Sequence, residues 1–229
     1  MTFQWRREGQ GDIQTIDGHM IVVHGKTLQD RIRLLFGATT IGAHDEVTKQ
    51  AADKIMALCG DPWCRVQRTF QLLRMLAVYD DDEGKRFRGD SEFDVFRTFK
   101  HLARTGRADC DCYTDSLCAL LWLQGIPCGA RAIEQWDRYD GKWIYNHVYG
   151  LAKVEGMGVV PLELTPVPPN RMLVGPGWET PRDTYRNKQD FWYDGNTWSR
   201  WHRSVDLSSP SRLGSVFLAS APSVYAVSQ

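Results

Sequence analysis

Apolar residues recur at helical spacing through the first half of the chain. Thr27-Leu28-Gln29-Asp30 has the form of a capping box, and the short helix it opens is expected to end near Gly37. A second helix is expected over 45–58, with Gly60 just beyond its end. The next starts with Asp61 as N-cap and Pro62 at its first position. It presents Trp63, Val66, Phe70, Leu73 and Ala77 as one stripe for a core. Ser91, with Asp94 three residues on, predicts another helix through Phe96, Phe99 and Leu102, closed by Gly106. The most informative helix covers 109–124. Tyr113, Leu117, Leu120 and Leu121 form its buried side, and Gly125-Ile126-Pro127 stops it.

Beyond Pro127 the period shortens. Strands are expected from Cys128 to Gln135, from Trp143 to Ala152 and from Val159 to Leu164, with turns at Asp140-Gly141 and Glu155-Gly156 between them. An earlier alternating run, His19 to His24, reads as a hairpin strand or an N-terminal arm. Helices first and strands afterwards predict an α+β fold for residues 1–166. From Val167 onward no period is sustained. Residues 167–229 are expected to form an extended arm, aromatic at first and Ser-rich from Ser208, with Trp192, Trp198 and Trp201 as anchors on this domain or a neighbour.

Charge narrows the function. The 229 residues carry 28 Lys plus Arg against 28 Asp plus Glu, so the basic excess that phosphate binding calls for is missing and no nucleic-acid partner is expected. No apolar run reaches the roughly 18 residues of a spanning helix, and Met1 to Gly11 is polar where a secretory signal would be apolar, so neither membrane insertion nor ordinary export is expected. A cytoplasmic protein follows. The acidic run Asp80 to Glu83 lacks the alternating ligands and closing glutamate of a calcium loop, and reads as part of a solvated loop over 79–90.

Six cysteines in such a chain are expected as reduced thiols. A zinc site from Cys59, Cys64, Cys110 and Cys112 fits poorly. Two positions on a helix differ by about 200° around its axis, so Cys110 and Cys112 cannot both face one ion. Cys110 has a different setting, directly after Asp109 in a first helical turn, where unpaired N–H groups and the helix dipole favour a thiolate. Such a nucleophile needs an imidazole within reach, and His147 stands mid-strand in Trp143-Ile144-Tyr145-Asn146-His147-Val148-Tyr149. Strict alternation would put it on one face with Tyr145 and Tyr149. Glu163, at the end of the next strand, is placed to orient that imidazole. Cys110, His147 and Glu163 are thus the candidate catalytic residues.

Four stretches together resemble the transglutaminase-like branch of the papain-like cysteine enzymes. They are Ala108-Asp109-Cys110-Asp111-Cys112-Tyr113, Leu123-Gln124-Gly125-Ile126-Pro127, Asn146-His147-Val148-Tyr149 and Pro161-Leu162-Glu163-Leu164-Thr165-Pro166. The order Cys, His, acid agrees with that family over about residues 79–166. Cys112 replaces a second Asp, Ala108 a Gly and Glu163 the usual Asp. The resemblance implies a papain-like core, a protein or peptide substrate, thiol chemistry on amide bonds and no cofactor or metal. It also leaves open a second class: a non-catalytic structural subunit, as in a bacteriophage head, neck or tail, whose arm binds a protein partner or further copies of the chain, and which would reside in the virion.

Overall fold

The computed structural model describes residues 6–8, 11–16, 20–24, 27–80, 93–137, 141–165, 175–195 and 198–200. Up to residue 24, and at 93–95, 183 and 198–200, the description is of the backbone alone. Thr27 caps helix α1 (Leu28–His44) in both directions: its hydroxyl accepts from the Asp30 N–H at 3.2 Å, and the Asp30 carboxylate accepts from the Thr27 N–H at 3.2 Å. The helix does not end at Gly37. Ala38, Thr39, Gly42 and Ala43 bury the following turns, and that packing outweighs the cost of about 1 kcal/mol for an interior glycine. Asp45 closes α1 and caps α2 (Glu46–Leu58) through the Val47 N–H at 2.9 Å. Helix α3 (Pro62–Leu76) starts as expected, with Asp61 accepting from the Cys64 N–H at 2.9 Å, and buries Val66, Phe70 and Leu73.

Strands β1 (Arg6–Glu8), β2 (Gly11–Ile16), β3 (Met20–His24) and β5 (Phe93–Arg97) form an antiparallel sheet in that order. Strand β5 corrects the helix expected to run from Ser91. Phe93 to Arg97 pairs with His24 to Met20 over five positions, and this ladder overrides the weak local helix signal. Only the last part is helical, α4 (Phe99–Thr105), closed by Gly106 in the left-handed region. Ser91 and most of the charged loop lie outside the described residues. The short strands β4 (Val78–Tyr79) and β6 (Arg107–Ala108) pair in parallel and lead into α5 (Cys110–Leu123).

The second sheet has the order β11-β10-β7-β8-β9, all antiparallel, from β7 (Cys128–Asp137), β8 (Lys142–Val154), β9 (Gly158–Leu162), β10 (Lys188–Tyr193) and β11 (Trp198–Arg200). Phe191, Ala130, Gly150 and Leu162 stand in one row across four of these strands and face α5. The trough between the two large residues receives Leu117. A Cβ added at Gly150 would sit 2.0 Å from Leu117 Cδ2, so the helix lies directly on the bare backbone of β8. The core spans this layer and the helices, with Leu35, Phe70, Leu73, Leu102, Leu120 and Leu121 fully enclosed. The chain is therefore α+β.

Two expectations are corrected here. Residues 175–195 are not an extended arm. Strand β10 pairs with β7 over five positions, Phe191 is fully buried, and Tyr193 reaches into the helical layer, where its hydroxyl bonds Thr40 at 2.7 Å and its ring meets Trp122 edge-on at 5.7 Å. The run Lys188-Gln189-Asp190-Phe191-Trp192-Tyr193 is too short and too polar at its start to show a strand period, and pairing with β7 supplies what pattern could not. Trp198 lies on the edge strand, while Trp201 and the Ser-rich stretch lie outside the described residues. The second correction concerns thiols. Cys59 and Cys64 form a disulfide across the α2–α3 turn, with Cα atoms 5.5 Å apart, which removes both from any zinc site. Cys110, Cys112, Cys118 and Cys128 are free.

Among the described residues no helix is long and apolar enough to cross a membrane.

Two measurements test this packing. A Cβ at Gly129 would lie 2.3 Å from the Phe191 carbonyl oxygen, whereas one at Gly37 meets nothing within 4 Å. Gly129→Ala is expected to lower unfolding stability in urea by about 2–3 kcal/mol, and Gly37→Ala to raise it by about 0.5–1 kcal/mol. Equal effects would mean that β10 does not pack beside β7. Denatured, unreduced protein is expected to take up four maleimides, and reduced protein six.

Candidate active site

The site is built where α5 begins against β8. Asp109 caps the helix, its carboxylate accepting from the Cys112 N–H at 3.1 Å. Cys110 is then the first helical residue and only half-buried, while Cys112 faces the core and is fully buried, as the 200° separation requires. Parallel pairing of Tyr79 with Ala108 brings Tyr79 beside the helix start. Cys110, Asp111, Tyr79, Asn146 and His147 all line one cleft of about 220 Å³.

A bulge in β8 positions the imidazole. Ile133 pairs with His147 and Glu134 with Tyr145, so Asn146 is an extra residue without a partner on β7. This breaks the expected alternation. The His147 and Tyr149 rings stay together, with centroids 5.9 Å apart, but Tyr145 falls on the core side, where its hydroxyl accepts from Gln189 at 2.7 Å. The sequence has no glycine to announce the bulge, since Asn146 serves in that place.

Glu163 follows β9 by one residue, and its side chain has no exposed surface. Its Oε2 lies 2.8 Å from His147 Nε2 and accepts from Thr180 Oγ1 at 3.0 Å; its Oε1 accepts from the Thr165 N–H at 2.9 Å. Burial pushes this carboxyl up. The charge and hydrogen bond of His147, together with the Thr165 backbone N–H, outweigh that and hold it below the usual glutamate range. The extra methylene relative to aspartate therefore does not keep the carboxylate from the imidazole.

Cys110 departs from expectation in its ionisation. Burial pushes the thiol well up, the Asp111 and Asp109 carboxylates push it further, and the nearby Val148 backbone only partly opposes them. The dipole at the helix start is thus outweighed by desolvation and by the acids on either side. The resting group is a thiol at neutral pH.

Asp109, Asp111 and Cys112 bring potential metal-ligating atoms within 4.8 Å of one another. The Asp109 carboxylate is also the helix cap, and Cys112 belongs to the core. Neither the family models nor the curated proteins compared with the chain give a match.

The structure thus brings His147 and Glu163 into direct contact and places Cys110 on the cleft that His147 lines. Sequence reasoning missed two donors to Glu163. Thr165 is legible afterwards, since a backbone N–H two residues beyond a carboxylate is a common turn partner. Thr180 leaves no sequence signal.

The lowered Glu163 carboxyl sets a sign for pH dependence. It contributes stability above the pH where an unfolded glutamate titrates, about 4.3, and that contribution disappears as pH falls through the lower folded value. Urea unfolding between pH 7 and pH 3 is expected to show a decline that Glu163→Gln reduces by on the order of 1 kcal/mol. An unchanged pH profile in the variant would mean that Glu163 is not ionised in the folded protein.

Proposed function

We propose that this chain is a transglutaminase-like cysteine enzyme with a papain-like core, acting on amide bonds of a protein or peptide substrate. The observation that carries the reading is the His147–Glu163 pair at 2.8 Å, buried on the carboxylate side and opening on the cleft that Cys110 lines. A buried carboxylate bound to one imidazole nitrogen sets the tautomer and steadies the imidazolium. With Nε2 held by Glu163, Nδ1 is the nitrogen left to take a proton from Cys110 across the cleft that both residues line.

Because the resting sulfur is protonated, attack and proton transfer go together. The sulfur forms its bond to the substrate carbonyl carbon as the thiol proton passes to His147, and the carbonyl electrons move onto oxygen. Asp109 occupies the Cys112 N–H, and backbone N–H groups at the helix start are the donors for that oxyanion. Collapse expels the amine, which takes the proton from the imidazolium, and leaves an acyl group on Cys110. Water then gives hydrolysis; an amine gives acyl transfer.

The raised thiol favours a second reading, a non-catalytic structural subunit in an assembly such as a virion, for which the thiol need never ionise. Its contacts with a protein partner or with further copies would come in part from residues after 200, which lie outside the described residues.

Incubation with p-nitrophenyl acetate at pH 8, followed by intact-mass and peptide analysis, separates the two. The enzyme reading expects an acetyl group on Cys110, none in Cys110→Ser, a loss of at least about a hundredfold in rate in His147→Ala, and a loss of about ten- to a hundredfold in Glu163→Gln, whose amide still orients the ring. Folded wild-type protein that forms no Cys110 adduct would overturn it and leave the structural subunit.

A further inference from the structure

The face of the second sheet turned away from α5 carries a polar network that the catalytic reading does not use. Arg131 makes two hydrogen bonds of 2.6 Å to Asp190 on the neighbouring strand and also bonds Glu179, which accepts in addition from the Tyr149 hydroxyl at 3.2 Å. Glu179 belongs to a strap, residues 175–187, that crosses this face. One end is pinned where the Gly177 N–H donates to the Pro161 carbonyl at 2.8 Å. At the other end Arg186 grips Glu134 at 2.6 and 3.0 Å, with a backbone bond of 2.8 Å beside it. Tyr185 fills the space between, against Ile133 and Tyr149. The next residue after Glu179 is the buried Thr180, whose hydroxyl donates to the same Glu163 oxygen that binds His147.

We propose that Thr180 is a positioning residue for the site, and that the strap fixes the Glu163 carboxylate, and through it the His147 ring, by way of the Glu179–Arg131–Asp190 anchor. A carboxylate with one oxygen on a backbone N–H and the other on an imidazole can still rotate about its last bond. A third donor on Oε2 stops that rotation and keeps the charge in line with Nε2. Arg131 can do this at a distance because its charge is compensated: burial acts against it, and the Asp190 hydrogen bonds and charge outweigh burial. Removing the strap's hydroxyl therefore leaves the fold in place but loosens the imidazole.

The kinetic part of this inference rests on the catalytic reading of Cys110 and His147; the positional part does not, and the experiment separates them. Thr180→Val removes the donor at nearly constant shape, Thr180→Ala removes it with less bulk should the valine not be accommodated, and Thr180→Ser keeps it. The first readout is exchange of the His147 Nε2–H with water, followed by nitrogen-15 NMR. Valine or alanine is expected to speed exchange about tenfold, and serine to stay near wild type. The second readout is the pH profile of Cys110 acetylation, expected to fall about five- to tenfold in valine and alanine and to recover in serine. Wild-type exchange in both donor-less variants overturns the proposal whether or not the protein is an enzyme. Faster exchange in a protein that never acetylates Cys110 upholds the positioning of His147 and sinks the catalytic reading instead.

Discussion

Leu117 rests on the backbone of β8 at Gly150, and that contact sets the height of α5 above the sheet along its whole length. Any side chain at Gly150 would lift the helix. The cysteine at its first turn would then move away from Val148 and His147, with which it lines the cleft. The row Phe191-Ala130-Gly150-Leu162, large at its ends and small in the middle, is the matching surface. Close packing of this kind converts a helix cap at Asp109 into a fixed position for a thiol, because neither element can shift without opening a void in the core. It also explains why β10, remote from the cleft, matters to it: Phe191 forms one wall of the trough.

The two faces of the same sheet divide the work. The face toward α5 is apolar, and the opposite face holds Arg131, Asp190, Tyr149 and Glu163 under the strap. Buried charge of this amount is tolerable only where each group has partners, and here each does. A contrast stands in α5 itself, where Asp115 is buried with Ser116 bonded to one oxygen and the other oxygen unpartnered. Burial pushes that carboxyl well above its usual range. Partnered Glu163 is held as a carboxylate, although it is buried about as deeply.

The extent to which sequence disclosed this arrangement varied with the range of the interactions concerned. Caps at Thr27, Asp45, Asp61 and Asp109 are local, and residues within four positions determine them; all four helix starts were legible. The β7–β8–β9 meander was legible because its turns carry glycines, Gly141 and Gly156 among them, with positive φ. Phe93 to Arg97 and Lys188 to Tyr193 were not, since each becomes a strand only by pairing with a segment dozens of residues away. Of the candidate site, the reach of Glu163 to His147 across neighbouring strands could be picked out. The bulge at Asn146 and the hydroxyl of Thr180 could not, because both depend on register and on a loop returning across the sheet. The Cys59–Cys64 bond was missed by reading compartment from composition when local geometry, a short turn between two helices, decides whether two sulfurs meet.

The protonated state of Cys110 bears on what the proposed chemistry requires of a substrate. A standing thiolate would need its charge stabilised before anything binds, and Asp109 and Asp111 on either side make that unfavourable. Transfer of the proton during attack avoids a separate anion on sulfur: negative charge develops on the substrate oxygen beside the helix N–H groups, and positive charge on the imidazole, where Glu163 already waits. The same two acids that raise the thiol would also favour a protonated leaving amine. On this reading the flanking carboxylates slow reaction of the free thiol with simple alkylating agents while favouring the transition state for amide cleavage, so thiol reactivity alone is a poor guide to whether the site is catalytic.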